Sequence, residues 1–544
     1  MKGIFTSIVR KNRKKIVFMT LISLFITIIG VVLPYLNGRF IDYLTIGVEY
    51  RIILKMCVLI LGLGLLNVIF YYINQILNAK IRLRASFDLK LKIIEHLRKI
   101  SIIQYKKYDP SYLNHRTEQD INDIVTFIIT NYATFFINIV QIALLICIIF
   151  VISNGIALLM LIFLPIYYLV YSQIKKPLYS RGYAAKEAQN FYYNILNEQF
   201  TFMEDIKIGG NYNFNNNYIN KYYIEYEKNY MHYVRISGKF SSLDGIISAI
   251  FQVVTFLYGG WQTLNGKMSV GELTVICTYF SMALQLIKYY FELGKSYQNV
   301  KTSLNRLKEI LAIEIENEGN QSVNTIFKIK GMISYEYEKG NKVLNDFEIE
   351  LERGKIYGIV GANGSGKSTL SKLLIGLLRG GKIKINGISI SDIKMKDLRL
   401  NNILYIPQNI NYPNRTIQEI YQECHDGIEA DEIIQKIRKL QLSEAEEIVM
   451  LIKSNWNNNI NELSGGEKQI ISALKCLVKE FDFVIFDEPT SNLDTGRSAI
   501  LIGLLKYLKD SEKIVLIITH DPVLKSSCDK VFYLDKEEKE DVNE

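Results

Sequence analysis

Cysteine is sparse in this sequence of 544 residues. Its six cysteines include no Cys-x-x-Cys pair and no spacing typical of metal ligands, so a zinc site is not expected. Three lie in apolar segments and three in the more polar part of the chain, which indicates small apolar side chains rather than a disulfide framework. The cysteines are Cys57, Cys147, Cys277, Cys424, Cys476 and Cys528.

Charged residues are absent from the middle of six long apolar segments. At about 1.5 Å per helical residue, some 20 residues cross a hydrocarbon core that is ~30 Å thick, so each segment is predicted to be a membrane-spanning helix. Coupling to protons or ions needs ionisable groups at that depth, and their absence argues against it. The segments are 16–35, 53–76, 132–152, 156–173, 243–263 and 271–290.

Two alternatives accompany these spans. A signal peptide also contains an apolar run, but the first run is longer than such a region and no small-x-small cleavage pattern follows it. Uncharged polar side chains within the spans could line a cavity or hydrogen-bond one helix to another, and the sequence leaves both open. These residues are Asn67, Asn138, Gln141, Gln252 and Gln285.

Basic residues outnumber acidic residues by 64 to 55, which gives a formal charge of +9. A nucleic-acid partner would suit this balance, but Lys and Arg cluster beside the spans, where membrane topology places them, so none is expected. The connections after spans two and four are basic, which predicts that both termini are cytoplasmic. The basic residues include Arg10, Lys11, Arg13, Lys80, Arg82, Arg84, Lys175, Lys176 and Arg181.

Glycine and proline are scarce in the two long connections, 77–131 and 174–242. Both are amphipathic, so we predict helices that extend beyond the membrane and can reach a second domain. Their tips are predicted at 108–120 and 202–212, where Pro110, Gly209 and Gly210 interrupt the helical pattern. Solvated connections without a mechanical role are the alternative.

The chain is 49% hydrophobic and 22% charged, an average over two unlike parts. Apolar residues concentrate before about residue 290, and the later sequence has the mixed texture of an α/β domain. We predict a transmembrane domain at 1–310, a polar linker at 311–325 and a second domain at 326–544. The charged end, 536–544, is interpreted as a solvated tail.

A glycine-rich turn stands between a predicted buried strand at 355–360 and a predicted helix at 370–378. It matches a complete P-loop, in which backbone N–H groups and a helix N-terminus face phosphate oxygens. Lys367 is predicted to reach the β and γ phosphates, and Ser368 to offer its hydroxyl to Mg2+. This context argues against a chance turn. The predicted nucleotide-binding residues are Gly361, Asn363, Gly364, Ser365, Gly366, Lys367, Ser368 and Thr369.

A second apolar strand, predicted at 483–486, ends in Asp487 and Glu488. Both carboxylates should therefore lie at the carboxyl edge of a buried parallel sheet. We predict that Asp487 holds Mg2+ through its water shell and that Glu488 accepts the proton of the attacking water. Acidic residues at a strand end are often only helix caps, an alternative that the upstream P-loop disfavours.

Between these motifs, the turn Leu-Ser-Gly-Gly-Glu-Lys-Gln precedes a predicted helix at 470–478. Its residues Ser464, Gly465 and Gly466 form a second predicted anion site. One ATP cannot easily use two separate helix N-termini of one domain. The turn is therefore predicted to close on the nucleotide of a partner subunit.

These motifs occur in the order and spacing of an ABC transporter ATPase, and the chain resembles that family over essentially its whole length. By this resemblance Gln408 is the Q-loop residue that senses Mg2+ and contacts the membrane domain, and Asp494 lies in the D-loop. His520 resembles the switch histidine at the γ-phosphate, with a structural histidine as the alternative. Tyr337 matches the aromatic residue that stacks on adenine, with Tyr335 as a possible substitute.

The N-terminal part resembles the six-helix exporter type, whose cytoplasmic loops end in coupling helices. The resemblance implies a multidomain membrane protein with an all-α six-helix transmembrane domain and an α/β P-loop ATPase domain. It also implies ATP and Mg2+ as cofactors. One departure is the segment before the signature turn, where exporters carry a Thr-x-Val-Gly-Glu-like sequence and this chain has Asn-Trp-Asn-Asn-Asn-Ile-Asn-Glu at 455–462.

The predicted function is ATP-driven export across the plasma membrane by a homodimer or a heterodimer with a related chain. An amphipathic peptide is the favoured cargo, with a lipid, a hydrophobic drug or another small molecule as alternatives. An ATP-gated channel or regulatory module and an importer also remain open, whereas six spans argue against a soluble ATPase acting on DNA or ribosomes. The predicted catalytic residues are Glu488, His520, Lys367 and Gln408, and the predicted metal-binding residues are Ser368, Gln408 and Asp487.

Overall fold

The computed structural model describes residues 10–108, 110–316, 318–337, 342–440, 445–491, 493 and 495–534. The described residues form two compact units. The first unit contains residues 10–96 and 110–312, and the second contains residues 97–108 and 313–534. The predicted tail at 536–544 lies outside the described residues.

Long helices build the first unit, because apolar residues run through most of each helix without a breaking sequence. The short helix α3 (Ile102–Tyr105) belongs to the second unit. The other helices before β1 are, in chain order, α1 (Arg13–Ile46), α2 (Tyr50–Leu97), α4 (Pro110–Ile152), α5 (Asn154–Thr201), α6 (Met203–Gly209), α7 (Tyr212–Leu264) and α8 (Val270–Leu311).

Five helices among the described residues, namely α1, α2, α4, α7 and α8, are long and apolar enough to cross a membrane. They contain five of the six predicted spans. The remaining span, predicted at 156–173, lies in α5, whose shorter apolar stretch is Asn154–Phe163. The predicted helical extensions are also present, since α2, α4, α5 and α7 all continue well past their apolar stretches.

The tips of the two extensions were predicted with unequal success. The second is confirmed: α6 lies between α5 and α7, and Gly210 follows it in a left-handed conformation with φ of 64°. The first prediction was wrong, because the chain turns at 98–108 and residues 110–120 are helical. Pro110 stands at the start of α4, where its missing N–H leaves no helical hydrogen bond unmade.

A buried carboxylate joins α1 to α8 in the first unit. Asp42 is 6% exposed, and it accepts hydrogen bonds from the Ser269 hydroxyl and the Gly271 N–H, both at 2.8 Å. The N-terminus of α8 favours this negative charge. The two helices touch through glycine here, because a Cβ added to Gly271 would lie 1.9 Å from the Gly38 carbonyl oxygen.

Two sheets form the second unit. The antiparallel sheet has the order β2-β1-β4-β5, and the parallel sheet has the order β6-β7-β8-β3-β9. The strands are β1 (Lys328–Glu336), β2 (Lys342–Glu352), β3 (Lys355–Gly361), β4 (Lys382–Ile385), β5 (Ile388–Ser389), β6 (Ile403–Ile406), β7 (Phe483–Asp487), β8 (Ile514–Ile518) and β9 (Lys530–Leu534).

Helices cover the parallel sheet and bury its apolar strands. Every residue of β7 and of β8 is buried, as their apolar sequences require. The helices that follow β3 in the second unit are α9 (Lys367–Leu374), α10 (Met395–Asn401), α11 (Ile417–Gln422), α12 (Ala430–Lys439), α13 (Ala445–Asn455), α14 (Gly465–Ala473), α15 (Lys475–Val478), α16 (Thr495–Asp510) and α17 (Pro522–Ser526).

The register of the parallel sheet places four strand ends at one edge. Ile359 in β3 and Asp487 in β7 both pair with Ile518 in β8, and Ile406 in β6 pairs with Phe486 in β7. Because these strands run in the same direction, the residues that follow them meet at their carboxyl ends. The P-loop, Gln408, Glu488 and His520 follow these strands and therefore lie at this edge.

The polar segment between α8 and β1 is held by hydrogen bonds within the second unit. The Glu316 N–H donates to the Lys99 carbonyl at 2.8 Å, and Ile315 pairs with Ile100. The Gln321 N–H donates to the Asp392 backbone carbonyl at 2.9 Å. The polar segment lacks helical periodicity because it is extended and pairs with other parts of the chain. The turn at 98–108, which supplies one of these partners, belongs to the same compact unit.

Candidate functional site

The P-loop is built by the end of β3 and the start of α9. Gly364 and Gly366 have φ of 79° and 98°, in the region that favours glycine. A Cβ added to Gly366 would also lie 2.9 Å from a methyl carbon of Leu344. The helix begins at Lys367, three residues earlier than predicted, and ends at Leu374.

Lys367 is a buried ammonium whose partners lie at the end of the P-loop strand. Its Nζ donates to the Gly361 carbonyl at 2.6 Å and to the Ala362 carbonyl at 3.1 Å. It also lies 2.9 Å from Nε2 of His520, which follows the adjacent strand β8. The structure therefore brings two predicted catalytic residues into direct contact.

Asp487 is buried at the end of β7, with 5% of its surface exposed. Its Oδ2 accepts a hydrogen bond from the Tyr405 hydroxyl at 2.9 Å, and the Ser368 hydroxyl donates to its carboxylate. Burial raises the pKa of Asp487, while the hydrogen bonds from Tyr405 and Ser368 oppose that shift. Burial also raises the pKa of Tyr405, which therefore remains a donor at neutral pH.

We expect Asp487→Asn to raise the unfolding temperature of the nucleotide-free protein at neutral pH by a few degrees. Because the folded-state pKa is raised, the stability contributed by Asp487 is complete below its ordinary pKa of about 3.9 and is lost as pH rises through the raised value. Asparagine is uncharged, so it avoids this loss and still accepts from Tyr405. Thermal unfolding in Mg2+-free buffer across a pH series tests the prediction.

The matched control for this series is Asp426→Asn, which changes an exposed carboxylate. It should leave the unfolding temperature nearly unchanged at every pH. The gain from Asp487→Asn should disappear near the ordinary Asp pKa. A gain that is independent of pH would show that charge burial is not its cause.

Glu488 has a left-handed backbone conformation, and its side chain contacts Gln408, which follows β6. Its φ is 49°, and its N–H donates to the Ile518 carbonyl at 2.9 Å. The Gln408 amide donates to its Oε2 at 2.5 Å, and His520 Nε2 lies 4.0 Å from its Oε1. The Glu488 carboxylate thus lies between Gln408 and His520, both of which were predicted from the sequence as site residues.

The signature turn begins α14, whose first residue is Gly465; the prediction of a start at 470 was wrong by five residues. Ser464 caps the helix by accepting the Glu467 N–H at 3.4 Å, and the Glu467 carboxylate accepts from the Ser464 N–H at 2.8 Å. The Ser464 hydroxyl also donates to this carboxylate at 2.8 Å, and the hydrogen bonds from the Ser464 N–H and hydroxyl lower the pKa of Glu467. Ser464 and Gly465 are exposed, so the turn is open to another molecule.

The atypical segment before the signature turn packs against α11. The Gln418 N–H donates to the Trp456 carbonyl at 3.1 Å, and the Trp456 ring lies 5.8 Å from that of Tyr421. The Ile460 N–H donates to the Arg415 carbonyl at 3.0 Å. The asparagine-rich sequence therefore forms an ordered part of the second unit.

Tyr337 and Tyr335 have different surroundings. Tyr337 is 48% exposed, and its hydroxyl lies 3.2 Å from the Thr369 hydroxyl in the first turn of α9. Tyr335 is 8% exposed and packs in the sheet core. An exposed ring beside the P-loop helix can stack on a ligand, which favours Tyr337. The predicted D-loop residue Asp494 lies outside the described residues.

Sequence reasoning missed two polar side chains at this edge. Tyr405 reaches Asp487, and the Gln469 amide donates to the Glu488 carbonyl at 3.1 Å. A tyrosine one residue before the end of an otherwise apolar strand was a usable signal for Tyr405. Gln469 gave no comparable signal, because its partner is a backbone atom.

Comparisons with known proteins agree with this arrangement. The family description "ABC transporter transmembrane region" matches residues 16–287, and "ABC transporter" matches residues 344–491. The chain is 25% identical to the transport/processing ATP-binding protein ComA of Streptococcus pneumoniae (strain ATCC BAA-255 / R6), over 98% of this chain and 75% of that one. It is 26% identical to the lactococcin-G-processing and transport ATP-binding protein LagD of Lactococcus lactis, over 94% and 74%.

A solved structure supports the fold. A bacterial Atm1-family ABC exporter with ATP bound superposes with a TM-score of 0.77, at 18% identity over 97% of this chain and 94% of that one. The chain belongs to the ABC transporter family and is an exporter-type half-transporter, a multi-pass membrane protein that couples ATP hydrolysis to export.

Proposed function

We propose that this chain exports an amphipathic peptide across the plasma membrane. The observation that carries this proposal is the similarity to LagD, whose name describes the processing and transport of lactococcin G. Spans without a charge in their middle suit a cargo that presents an apolar face.

The exporter is proposed to act as a dimer, either of two copies or of this chain and a related one. The exposed signature turn of one chain would close on the nucleotide held by the P-loop of the other. Ser464, Gly465, Gly466 and the D-loop residue Asp494 would form that second contact. Both termini are proposed to be cytoplasmic, because the basic connections follow spans two and four.

The P-loop is proposed to hold ATP. The Ser365 hydroxyl is buried and has no hydrogen-bond partner among the described residues, so a phosphate oxygen would satisfy it. The N-terminus of α9 favours a phosphate, and Tyr337 would stack on adenine. The remaining proposed ATP-binding residues are Gly361, Asn363, Gly364, Gly366, Lys367, Ser368 and Thr369.

The donor set at Asp487 fits Mg2+. Its carboxylate and the Ser368 hydroxyl already lie within hydrogen-bond distance of each other, and oxygen ligands are those that Mg2+ prefers. Ser368, Asp487 and Gln408 would hold the ion, which neutralises phosphate charge when bound.

Glu488 is proposed to accept a proton from the attacking water. Gln408 holds one oxygen of its carboxylate, and His520 lies near the other and would contact the γ-phosphate. Lys367 would move from the P-loop carbonyls to the phosphates when ATP binds. Closure of the dimer around ATP would turn the cavity outward, and hydrolysis would reset it.

The domain limits are also proposed from the sequence. They place the transmembrane domain at 1–310, the linker at 311–325 and the ATPase domain at 326–544. The hydrogen bonds of Glu316 and Gln321 support a linker that is fixed within the second unit. Because the turn at 98–108 pairs with this linker, movement of the turn would be transmitted to the ATPase domain.

The test of function is ATP hydrolysis by the purified full-length chain in lipid vesicles, alone and with defined cargoes. We expect amphipathic peptides to raise the rate at least about twofold, because bound cargo favours the dimer that closes. Each peptide is paired with a permuted version of the same composition that lacks an apolar face. The panel also contains lipids and hydrophobic drugs.

Stimulation by lipids or drugs alone would overturn the peptide proposal and identify the other cargo class. Absence of basal and stimulated hydrolysis in well-folded protein would contradict the homodimer. The same assay with a related half-transporter added would then test the heterodimer.

A further inference from the structure

Gln469 is a buried amide on α14, the helix that begins at the signature turn. Only 2% of its surface is exposed, and its Nε2 donates to the Glu488 carbonyl oxygen at 3.1 Å. Its Oε1 has no hydrogen-bond partner among the described residues. Burying a half-satisfied amide is unfavourable, so packing does not account for a glutamine at this position.

The backbone that Gln469 contacts is held in a strained conformation. Glu488 has φ of 49°, which a residue with a side chain adopts only when its surroundings impose it. Four hydrogen bonds do so: the Glu488 N–H donates to the Ile518 carbonyl, and Gln469 Nε2, the Ser491 hydroxyl and the Ser491 N–H all donate to the Glu488 carbonyl. Rotation of this backbone would redirect the carboxylate.

We propose that Gln469 is a positioning residue for ATP hydrolysis, because its amide N–H fixes the Glu488 backbone and thereby directs the Glu488 carboxylate. The inference rests on the proposed role of Glu488 as general base. Ser491 follows β7 in the chain, whereas Gln469 belongs to the signature helix. The bond therefore joins the signature helix to the backbone of Glu488, whose side chain is the proposed general base of the same chain.

Gln469→Met in the full-length chain in lipid tests this role. Methionine has a similar length and no amide, so the cavity stays filled while the hydrogen bond is lost. We expect kcat for ATP hydrolysis to fall about tenfold or more, because small misplacements of a reacting group are costly. KM for ATP should change less than about twofold, since the Gln469 side chain donates to Glu488, which is proposed to act on the attacking water rather than to bind the nucleotide.

The unfolding temperature distinguishes positioning from a structural role. Ser491 still satisfies the Glu488 carbonyl in Gln469→Met, so the variant should unfold at the wild-type temperature or above it. A fall in kcat together with unchanged stability supports the proposal. Wild-type kcat in Gln469→Met would overturn it, as would a fall in kcat that only accompanies unfolding.

Gln469→Glu adds a readout that depends on the donor itself. An ionised carboxylate cannot donate to the Glu488 carbonyl, whereas a protonated carboxyl can. Burial should raise the pKa of the introduced carboxyl. The ratio of kcat for ATP hydrolysis in Gln469→Glu to kcat in the wild type should therefore increase as pH falls from about 8 to about 6. A constant ratio would overturn the proposal. An unchanged rate of hydrolysis in Glu488→Gln would instead contradict the general-base role.

Discussion

Glu488→Gln should reduce ATP hydrolysis by about 10²–10³-fold while leaving nucleotide binding intact. Glutamine keeps the size of the side chain and can still contact Gln408, but it cannot accept a proton from water. Hydrolysis is measured as phosphate release from the full-length chain in lipid. Binding is measured with a fluorescent ATP analogue.

The matched control is Glu432→Gln, which makes the same change on an exposed position of α12. It should retain the wild-type rate, because it lies in none of the nucleotide-binding motifs. If Glu488→Gln kept more than about a tenth of the wild-type rate, Glu488 could not be the principal base. Loss of nucleotide binding in that variant would point to a structural role instead.

The apolar strands were the most predictable part of the fold. The runs predicted at 355–360 and 483–486 are observed as β3 and β7 within one residue at each end, and the equally apolar run 514–518 forms β8. Apolar strands of a parallel sheet are buried on both faces, so local sequence determines both their type and their limits. The positions of Glu488 and His520, one and two residues past these strands, were predictable for the same reason.

Helix starts were less predictable, because glycine and serine usually indicate turns. α9 begins inside the P-loop and α14 begins inside the signature turn, although both starts contain small residues. The serine and glutamate three residues apart at Ser464 and Glu467 were a capping-box signal that would have corrected the second start. The tip at 98–108 contains no glycine or proline, and it is fixed by contacts such as that between Ile100 and Ile315.

Contacts between distant residues could not be predicted from local pattern. The hydrogen bond from Tyr405 to Asp487 depends on the order of strands in the parallel sheet. The hydrogen bond from Gln469 to Glu488 depends on how α14 packs beside that sheet. Residue type predicted the chemistry of the site, and tertiary structure added the residues that contact Asp487 and Glu488.

Asp482 is expected to be the carboxylate on which the ATPase fold depends most. It is 7% exposed, its Oδ1 accepts from Arg353 at 2.7 Å, and its Oδ2 accepts from the Ile326 N–H at 3.0 Å and the Asn402 amide at 2.7 Å. One side chain thus joins the start of β1, the β2–β3 turn and the start of β6.

Asp482→Ala should lower the free energy of unfolding of the ATPase domain by about 3 kcal/mol, because it leaves these buried donors without an acceptor. Asp482→Asn keeps an acceptor and should cost less than Asp482→Ala. Denaturant unfolding of the full-length chain tests both, with the fluorescence of Trp456 as the reporter and Trp261 replaced by Phe in every protein compared. Asp426→Ala, at an exposed position, should change stability by less than about 0.5 kcal/mol. Equal stability of Asp482→Ala and Asp426→Ala would show that solvent, rather than Asp482, satisfies these donors.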